Sequence, residues 1–290
     1  MPDAARHRRT RCLLVVSHVL DEVTLARFWQ CQAELGDVLD VVLVLSEPLE
    51  QEVQKRGLRD VACLHGAEIF RPEYGRKTAT GRIKPGHADL ILLAFWRRHP
   101  GYEHYWVKEF DVYAPRGLRQ LASLDAGSEA DLLGTFLRRQ AQQGWWEHWA
   151  TLQRGPARDS AAAEGAPPEG TPPEGVGAAV DGAACFLPLS RYSAKLLALL
   201  DWSYRHGWMG HHEATVPTVA ASNGLAMEDI NTVAQRVLGR DVYDYESFNH
   251  ERCRDTKPLF FCHPVKRASQ IAALHQALLE QAGPPEPAAP

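Results

Sequence analysis

Residues 13–45 read LLVVSHVLDEVTLARFWQCQAELGDVLDVVLVL, and this stretch decides the fold class. Leu13-Leu-Val-Val16 is a short, unbroken apolar run of the kind buried on both faces of a sheet. Residues 22–35 follow with apolar positions at Val23, Leu25, Phe28 and Trp29, which predicts a helix that Gly36 stops. Residues 41–45 are a second continuous apolar strand. A strand, a helix and a strand of this kind predict a parallel pair joined by a crossover. The expected fold is therefore α/β, with a mostly parallel central sheet and helices on both faces. Ser17, His18 and Ser46 then fall at strand carboxyl ends, where open α/β sheets bind ligands.

Outward from this unit, residues 88–98 predict a helix closed by His99-Pro100-Gly101, and residues 102–113 a central strand rich in aromatic and β-branched side chains. Helices are expected at 118–124 and 145–152, and at 191–206 with Ser190 as N-cap and Gly207 as terminator. A last strand is expected at 259–265 and a terminal helix at 268–281. Residues 154–184 contain no aromatic side chain and repeat Ala166-Pro-Pro-Glu-Gly as Thr171-Pro-Pro-Glu-Gly. Such a composition buries too little surface to offset its ordering entropy, so a disordered insertion is predicted. Loop closure grows costlier only slowly with length, and one domain tolerates an interruption of this size. The domain then consists of a half at 11–153 and a half at 185–282, with a basic disordered arm at 1–10 and a loose tail at 283–290.

Composition narrows the function. Across 290 residues, 45% are apolar, which excludes wholesale disorder; Lys+Arg 32 against Asp+Glu 36 gives a net charge of -4, without the basic excess of a nucleic-acid binder. No run approaches the ~18 apolar residues of a membrane helix. Arg6, Arg8, Arg9 and Arg11 precede an apolar stretch as in a signal peptide, but Ser17, His18, Asp21 and Glu22 break it, and a cytoplasmic protein is expected. Cysteines at 12, 31, 63, 185, 253 and 262 contain no C-x-x-C pair and read as free thiols. The sequence has no G-x-G-x-x-G, Walker A or G-x-S-x-G motif, which speaks against dehydrogenase, NTPase and α/β-hydrolase readings.

Three segments carry candidate chemistry. In Tyr105-Trp-Val-Lys-Glu109-Phe-Asp111-Val-Tyr113, strand alternation would project Glu109 and Asp111 together at a strand's carboxyl end. Two carboxylates in one space repel, and a divalent cation or a shared proton relieves them; an exposed acidic pair is the plainer reading. In Gly207-Trp-Met-Gly210-His-His212-Glu213-Ala-Thr-Val-Pro217-Thr218, a tight loop presents Glu213 as a candidate general base, against the plainer reading of a capping loop. A zinc reading of His211-His212-Glu213 lacks the spacing that puts two imidazoles on one helical face. In Phe261-Cys-His263-Pro-Val-Lys266-Arg267, His263 is a candidate metal ligand, and Lys266 and Arg267 are candidate phosphate contacts. Lesser candidates are Glu228 and Asp229 as a base or an acidic first helical turn, Lys84-Pro-Gly-His87 near phosphate, and Trp145, Trp146 and Trp149 as sugar-stacking or core residues.

Taken in order, Trp106-Val-Lys-Glu109-Phe-Asp111-Val resembles the W-x-x-E-Y-D-V signature of a glycosyltransferase-like family. Phe186-Leu-Pro-Leu-Ser-Arg191-Tyr-Ser193, Gly210-His-His-Glu213 with Pro217-Thr218, and His263-Pro-Val-Lys266 resemble its F-L-P-x-x-R-x-S, G-H-x-E…P-T and H-P-V-K segments. The resemblance spans most of 10–270 outside the insertion. Phe110 departs from the usual Tyr, and Tyr113-Ala-Pro-Arg-Gly departs from the turn expected after the motif. The resemblance implies a GT-A-like fold whose first half binds a nucleotide-sugar donor and whose second half faces a hydroxyl acceptor. It implies Asp111 and His263 as ligands of Mn²⁺ or Mg²⁺, Glu109 as a positioner of metal or ribose, and Glu213 as the acceptor-side base. Lys266, Arg267 and Lys108 are the cations that would neutralise a diphosphate without metal. Two other readings stay open: a non-catalytic nucleotide- or glycan-binding module on the same fold, and a metal-dependent phosphoester hydrolase with a second ligand cluster near Asp111.

Overall fold

β1 (Arg11–Ser17) and β2 (Asp40–Leu45) pair in parallel, Leu13 opposite Val41 and Val16 opposite Val44. α1 (Glu22–Leu35) joins them, opened by Asp21, whose carboxylate accepts from the Thr24 N–H. The computed structural model describes residues 10–79, 81, 87–114, 118–155, 181–244, 261–266 and 269. α2 (Glu50–Lys55), β3 (Val61–Cys63), α3 (Gly66–Ile69) and a 3-10 segment at Pro72–Lys77 lead to α4 (Ala88–Arg98) and β4 (His104–Glu109). Then come α5 (Gln120–Ala126), β5 (Leu132–Arg139), 3-10 segments at Gln140–Gln142 and Glu147–Thr151, and β6 (Ala183–Ser193). α6 (Ala194–Arg205), α7 (His212–Ser222), β7 (Met227–Asp229) and α8 (Ile230–Leu238) follow, and β8 (Tyr243–Asp244) pairs with β9 (Phe261–Cys262) in a small second sheet.

The main sheet has seven strands in the order β3-β2-β1-β4-β6-β5-β7. All neighbours run parallel except β6, which is antiparallel to β4 and β5. Chain from both sides of residues 156–180 therefore builds one sheet. Alternate residues of β1 and β4 face opposite layers. Leu14, Val16, Tyr105 and Val107 pack on one side with α4, α6 and α7; Leu13, Val15 and Trp106 pack on the other with α1, α5 and α8. The expected α/β sheet, mostly parallel with helices on both faces, is present.

Several boundaries differ from expectation. The strand expected over 102–113 stops at Glu109. The helix expected at 191–206 begins at Ala194 and is capped by Ser193, which accepts from the Leu196 N–H. Its supposed lead-in is the end of the eleven-residue β6. β6 reads poorly as a strand because its polar residues are satisfied inside: Arg191 donates to Asp125, to Ser128 O and to Ala130 O, and Ser190 to Leu187 O. β6 also starts at Ala183, inside the range expected to be an insertion. The helix expected at 145–152 is a 3-10 turn, and Met227–Asp229 is an edge strand whose last residue caps α8. The strand expected at 259–265 is reduced to Phe261–Cys262. The basic arm, most of the insertion, most of the terminal helix and the tail lie outside the described residues. Among the described residues no helix is long and apolar enough to cross a membrane.

Candidate active site

Glu109 is the last residue of β4, and its parity with Tyr105 and Val107 sends it towards the layer that contains α7. The chain then turns, with the Val112 N–H donating to Glu109 O at 3.0 Å, so Asp111 lies in that turn rather than in a strand. A second limb docks on the turn. The backbones of Tyr113 and Cys262 exchange hydrogen bonds of 2.8 Å in both directions, and the Val265 N–H donates to Asp111 O at 2.8 Å. This brings His263 and Lys266 against a motif some 150 positions earlier.

The result is a compact cluster. Ligand-type atoms of Glu109, Asp111 and His263 all lie within 4.8 Å of one another, and this is the group among the described residues able to hold a metal ion. His263 Nε2 stands 3.4 Å from Asp111 Oδ1 and 3.9 Å from Glu109 Oε2, and Lys266 Nζ is 3.5 Å from Asp111 Oδ2. Asp111 Oδ1 and His263 Nδ1 are buried without a hydrogen-bond partner, and two carboxylates with one imidazole form a donor set suited to Mn²⁺ or Mg²⁺. The residues fit the implied cation.

Electrostatics separates the acids. Burial, then the Asp111 charge, pushes Glu109 up to about 7, against the opposing pull of His263. Burial also acts to raise Asp111, but the adjoining His263 and the charge of Lys266 outweigh it and hold Asp111 below the usual carboxylate range.

Glu213 belongs to the same neighbourhood. It sits in the first turn of α7, where its Oε1 accepts from the Leu187 N–H at 3.4 Å. The adjacent β6 residue, Phe186, meets the His263 ring edge-on at 5.3 Å, so consecutive residues of one strand touch the base candidate and the imidazole. The Glu213 charge also contributes to raising Glu109. Burial pushes Glu213 itself up to about 7, with the Leu187 N–H and Arg138 pulling the other way. α7 is fixed to β6 by Thr218, whose hydroxyl accepts from Ala183 N and donates to Ala183 O, both at 3.0 Å.

The approach to α7 is shaped by Gly210, at φ 140; a Cβ there would lie 2.9 Å from Thr151 O and from Thr215 Oγ1. Lys77 holds this turn by donating to Gly210 O at 2.8 Å and pairing with buried Asp89 at 2.9 Å. His211 and His212 are not part of the metal-capable group. The His211 ring stacks on His148 at 3.8 Å, and burial, then the charges of His212 and His148, lowers it to about 2. Trp149 is core, Trp146 lies face-on to Arg138 at 4.2 Å, and Trp145 is exposed. Glu228 pairs with Arg236, and Asp229 caps α8.

Lys108, expected as a cation that would neutralise the diphosphate, is enclosed by the protein. It shares the Trp106 face, is buried at 1% exposure, and lies on the α1 side of the sheet, away from Glu109. Arg267, Lys84 and the rest of 82–86 lie outside the described residues. The sequence reading missed Arg27, whose guanidinium contacts both limbs of the cluster, and the paired roles of Phe186 and Leu187. Arg27 was discoverable: with Thr24, Phe28 and Cys31 it falls on the stripe α1 buries, where an arginine needs partners.

Fold and site together define an α/β protein with an acid–imidazole centre at the carboxyl end of a central strand. No protein-family model and no curated protein sequence matches the chain. Among solved structures it is similar to a mycobacterial protein (12% identity, TM-score 0.41, covering 97% of this chain and 77% of that one). It is also similar to glucosyl-3-phosphoglycerate synthase from Mycobacterium tuberculosis in complex with Mn²⁺ and uridine-diphosphate-glucose (12%, 0.39, 97% and 81%). A third similar structure is mouse xyloside xylosyltransferase 1 (14%, 0.35, 76% and 84%). At these scores the likeness carries no functional argument.

Proposed function

We propose that the chain transfers a sugar from a nucleotide-diphosphate donor to a hydroxyl acceptor. The observation behind this reading is the convergence of Glu109, Asp111 and His263 within 4.8 Å, with Glu213 joined to the same space through Phe186 and Leu187. Asp111 and His263 would hold the divalent cation, with Glu109 positioning it or the donor ribose; bound there, a cation supplies positive charge for a diphosphate leaving group. Lys266 adds a cation on the Asp111 side, and Arg267 follows it in sequence. Glu213 accepts the proton of the acceptor hydroxyl as that oxygen attacks the anomeric carbon. The bond from that carbon to the diphosphate oxygen breaks, and its electron pair leaves with the nucleoside diphosphate. A single displacement of this kind inverts the anomeric configuration. The raised Glu213 suits the role, because a base works best with a pKa near the operating pH.

The test is a thermal-shift panel of nucleoside diphosphates, each with and without Mn²⁺. A ligand at a hundred times its dissociation constant adds about 2.7 kcal/mol of stability. Stabilisation by one diphosphate, larger with Mn²⁺, identifies the donor class. A flat panel would overturn donor binding and favour a glycan-binding module.

A further inference from the structure

The cluster depends on two chain segments that meet only by docking, and both present backbone carbonyls to one side chain. Arg27, in the middle of α1, is 4% exposed. One guanidinium nitrogen donates to the carbonyl of Phe110, the residue between Glu109 and Asp111. The other donates at 2.7 Å to the carbonyl of Val265, the residue next to Lys266 and two beyond His263. The guanidinium also lies 5.7 Å from the centre of the Tyr113 ring. On the sheet side, the Phe110 N–H is tied to Val16 O at 2.9 Å, so the first limb is anchored to β1 while Arg27 reaches it from α1.

We propose that Arg27 is the positioning residue of this site: its planar fork fixes the spacing between the Glu109/Asp111 limb and the His263/Lys266 limb at the value a divalent cation needs. The proposal rests on the cation–diphosphate reading above and adds the element that makes the centre form before ligand arrives. Lysine cannot replace this function, because a single ammonium lacks the rigid pair of parallel donors that spans two carbonyls. The limbs also meet directly, through three backbone hydrogen bonds at Tyr113–Cys262 and Val265–Asp111 and through the side-chain pairs of His263 and Lys266 with the two acids. They hold the limbs together; the Arg27 fork sets how they are turned towards each other.

The experiment measures Mn²⁺ affinity of the full chain by calorimetry, for wild type, Arg27→Lys and Arg27→Gln, with unfolding curves alongside. Arg191→Lys is the control: Arg191 is also buried and holds backbone carbonyls, those of Asp125, Ser128 and Ala130, but away from the cluster. Partners that orient metal ligands from behind are worth about 10–100-fold in metal affinity. Both Arg27 variants should lose that much, whereas Arg191→Lys should lose stability and keep wild-type affinity. Wild-type Mn²⁺ affinity in a folded Arg27→Lys overturns the proposal, as does an equal loss in Arg191→Lys.

A second measurement needs no variant. In wild type, saturating Mn²⁺ should slow amide hydrogen exchange at 110–113 and 261–266 together, and protection of one limb alone overturns the coupling. Failure of wild type to bind Mn²⁺ at all overturns the metal reading itself, which is a different result from an unaffected Arg27 variant.

Discussion

At the scale of single residues, the raised Glu213 and the lowered Asp111 differ in what a substitution should do. Glu213→Gln keeps the shape and the Leu187 contact but cannot take a proton. Turnover should fall ~10²–10⁴-fold with donor affinity nearly unchanged, as read by initial rates and calorimetry on the same protein. Turnover should also rise with pH to a plateau above about pH 7, where Glu213 loses its proton, and this limb should vanish in the variant. Stability should move the opposite way. The folded chain keeps that proton up to about pH 7, while the unfolded chain releases it near the ordinary glutamate value. Between those two points the native state binds more protons, so stability falls as pH rises. Glu213→Gln should flatten that part of a melting-temperature profile. Asp111→Asn tests the other half of the site: it removes the charge that His263 and Lys266 face, and Mn²⁺-dependent donor affinity should drop in a titration while metal-independent binding is spared.

At the scale of elements, legibility followed pattern strength. α1 and α4 were read to the residue because each has a clear apolar stripe and a stop, Gly36 for one and His99-Pro100 for the other. β5 and β6 escaped because polar residues interrupt their apolar runs, Thr135, Arg138 and Arg139 in one and Ser190, Arg191 and Ser193 in the other, so no alternation shows. The site was legible as residue types but not as geometry. Glu109 and Asp111 were expected to converge through strand alternation, yet they converge through a turn after the strand ends. Nothing local in 105–113 says that 261–266 will dock there. Glu213 was expected in a loop and lies in the first turn of α7, a placement set by Gly210. Gly210→Ala should therefore strain the backbone and crowd Thr151, Leu152 and Thr215. Such strain costs about 1–3 kcal/mol, and chemical unfolding should show that loss. Because Glu213 is three residues downstream, the variant should lose turnover beyond what its remaining folded fraction explains.

At the scale of the whole molecule, the sheet divides its work between its two ends. The candidate chemistry gathers at the carboxyl ends, where β4 stops and the 261–266 segment docks. The amino ends hold a buried polar hub instead. Asp125, 2% exposed, pairs with Arg11 at the start of β1 and with Arg191 of β6, and accepts from Trp106 Nε1 of β4. One carboxylate thus ties three adjacent central strands to α5. Arg191 is fully buried, so removing its counter-charge leaves an uncompensated guanidinium in the core rather than merely deleting a contact. Breaking such a pair by removing one partner costs about 3–5 kcal/mol. Asp125→Ala should lose that much in urea unfolding, whereas Asp125→Asn, which keeps an acceptor for Trp106 and Arg191, should lose less. If the two ends are independent, the folded fraction of either variant should bind Mn²⁺ and nucleoside diphosphate with wild-type affinity. Weakened ligand affinity in fully folded Asp125→Asn would mean that the hub and the acid–imidazole cluster are mechanically coupled through β4, the strand that touches both.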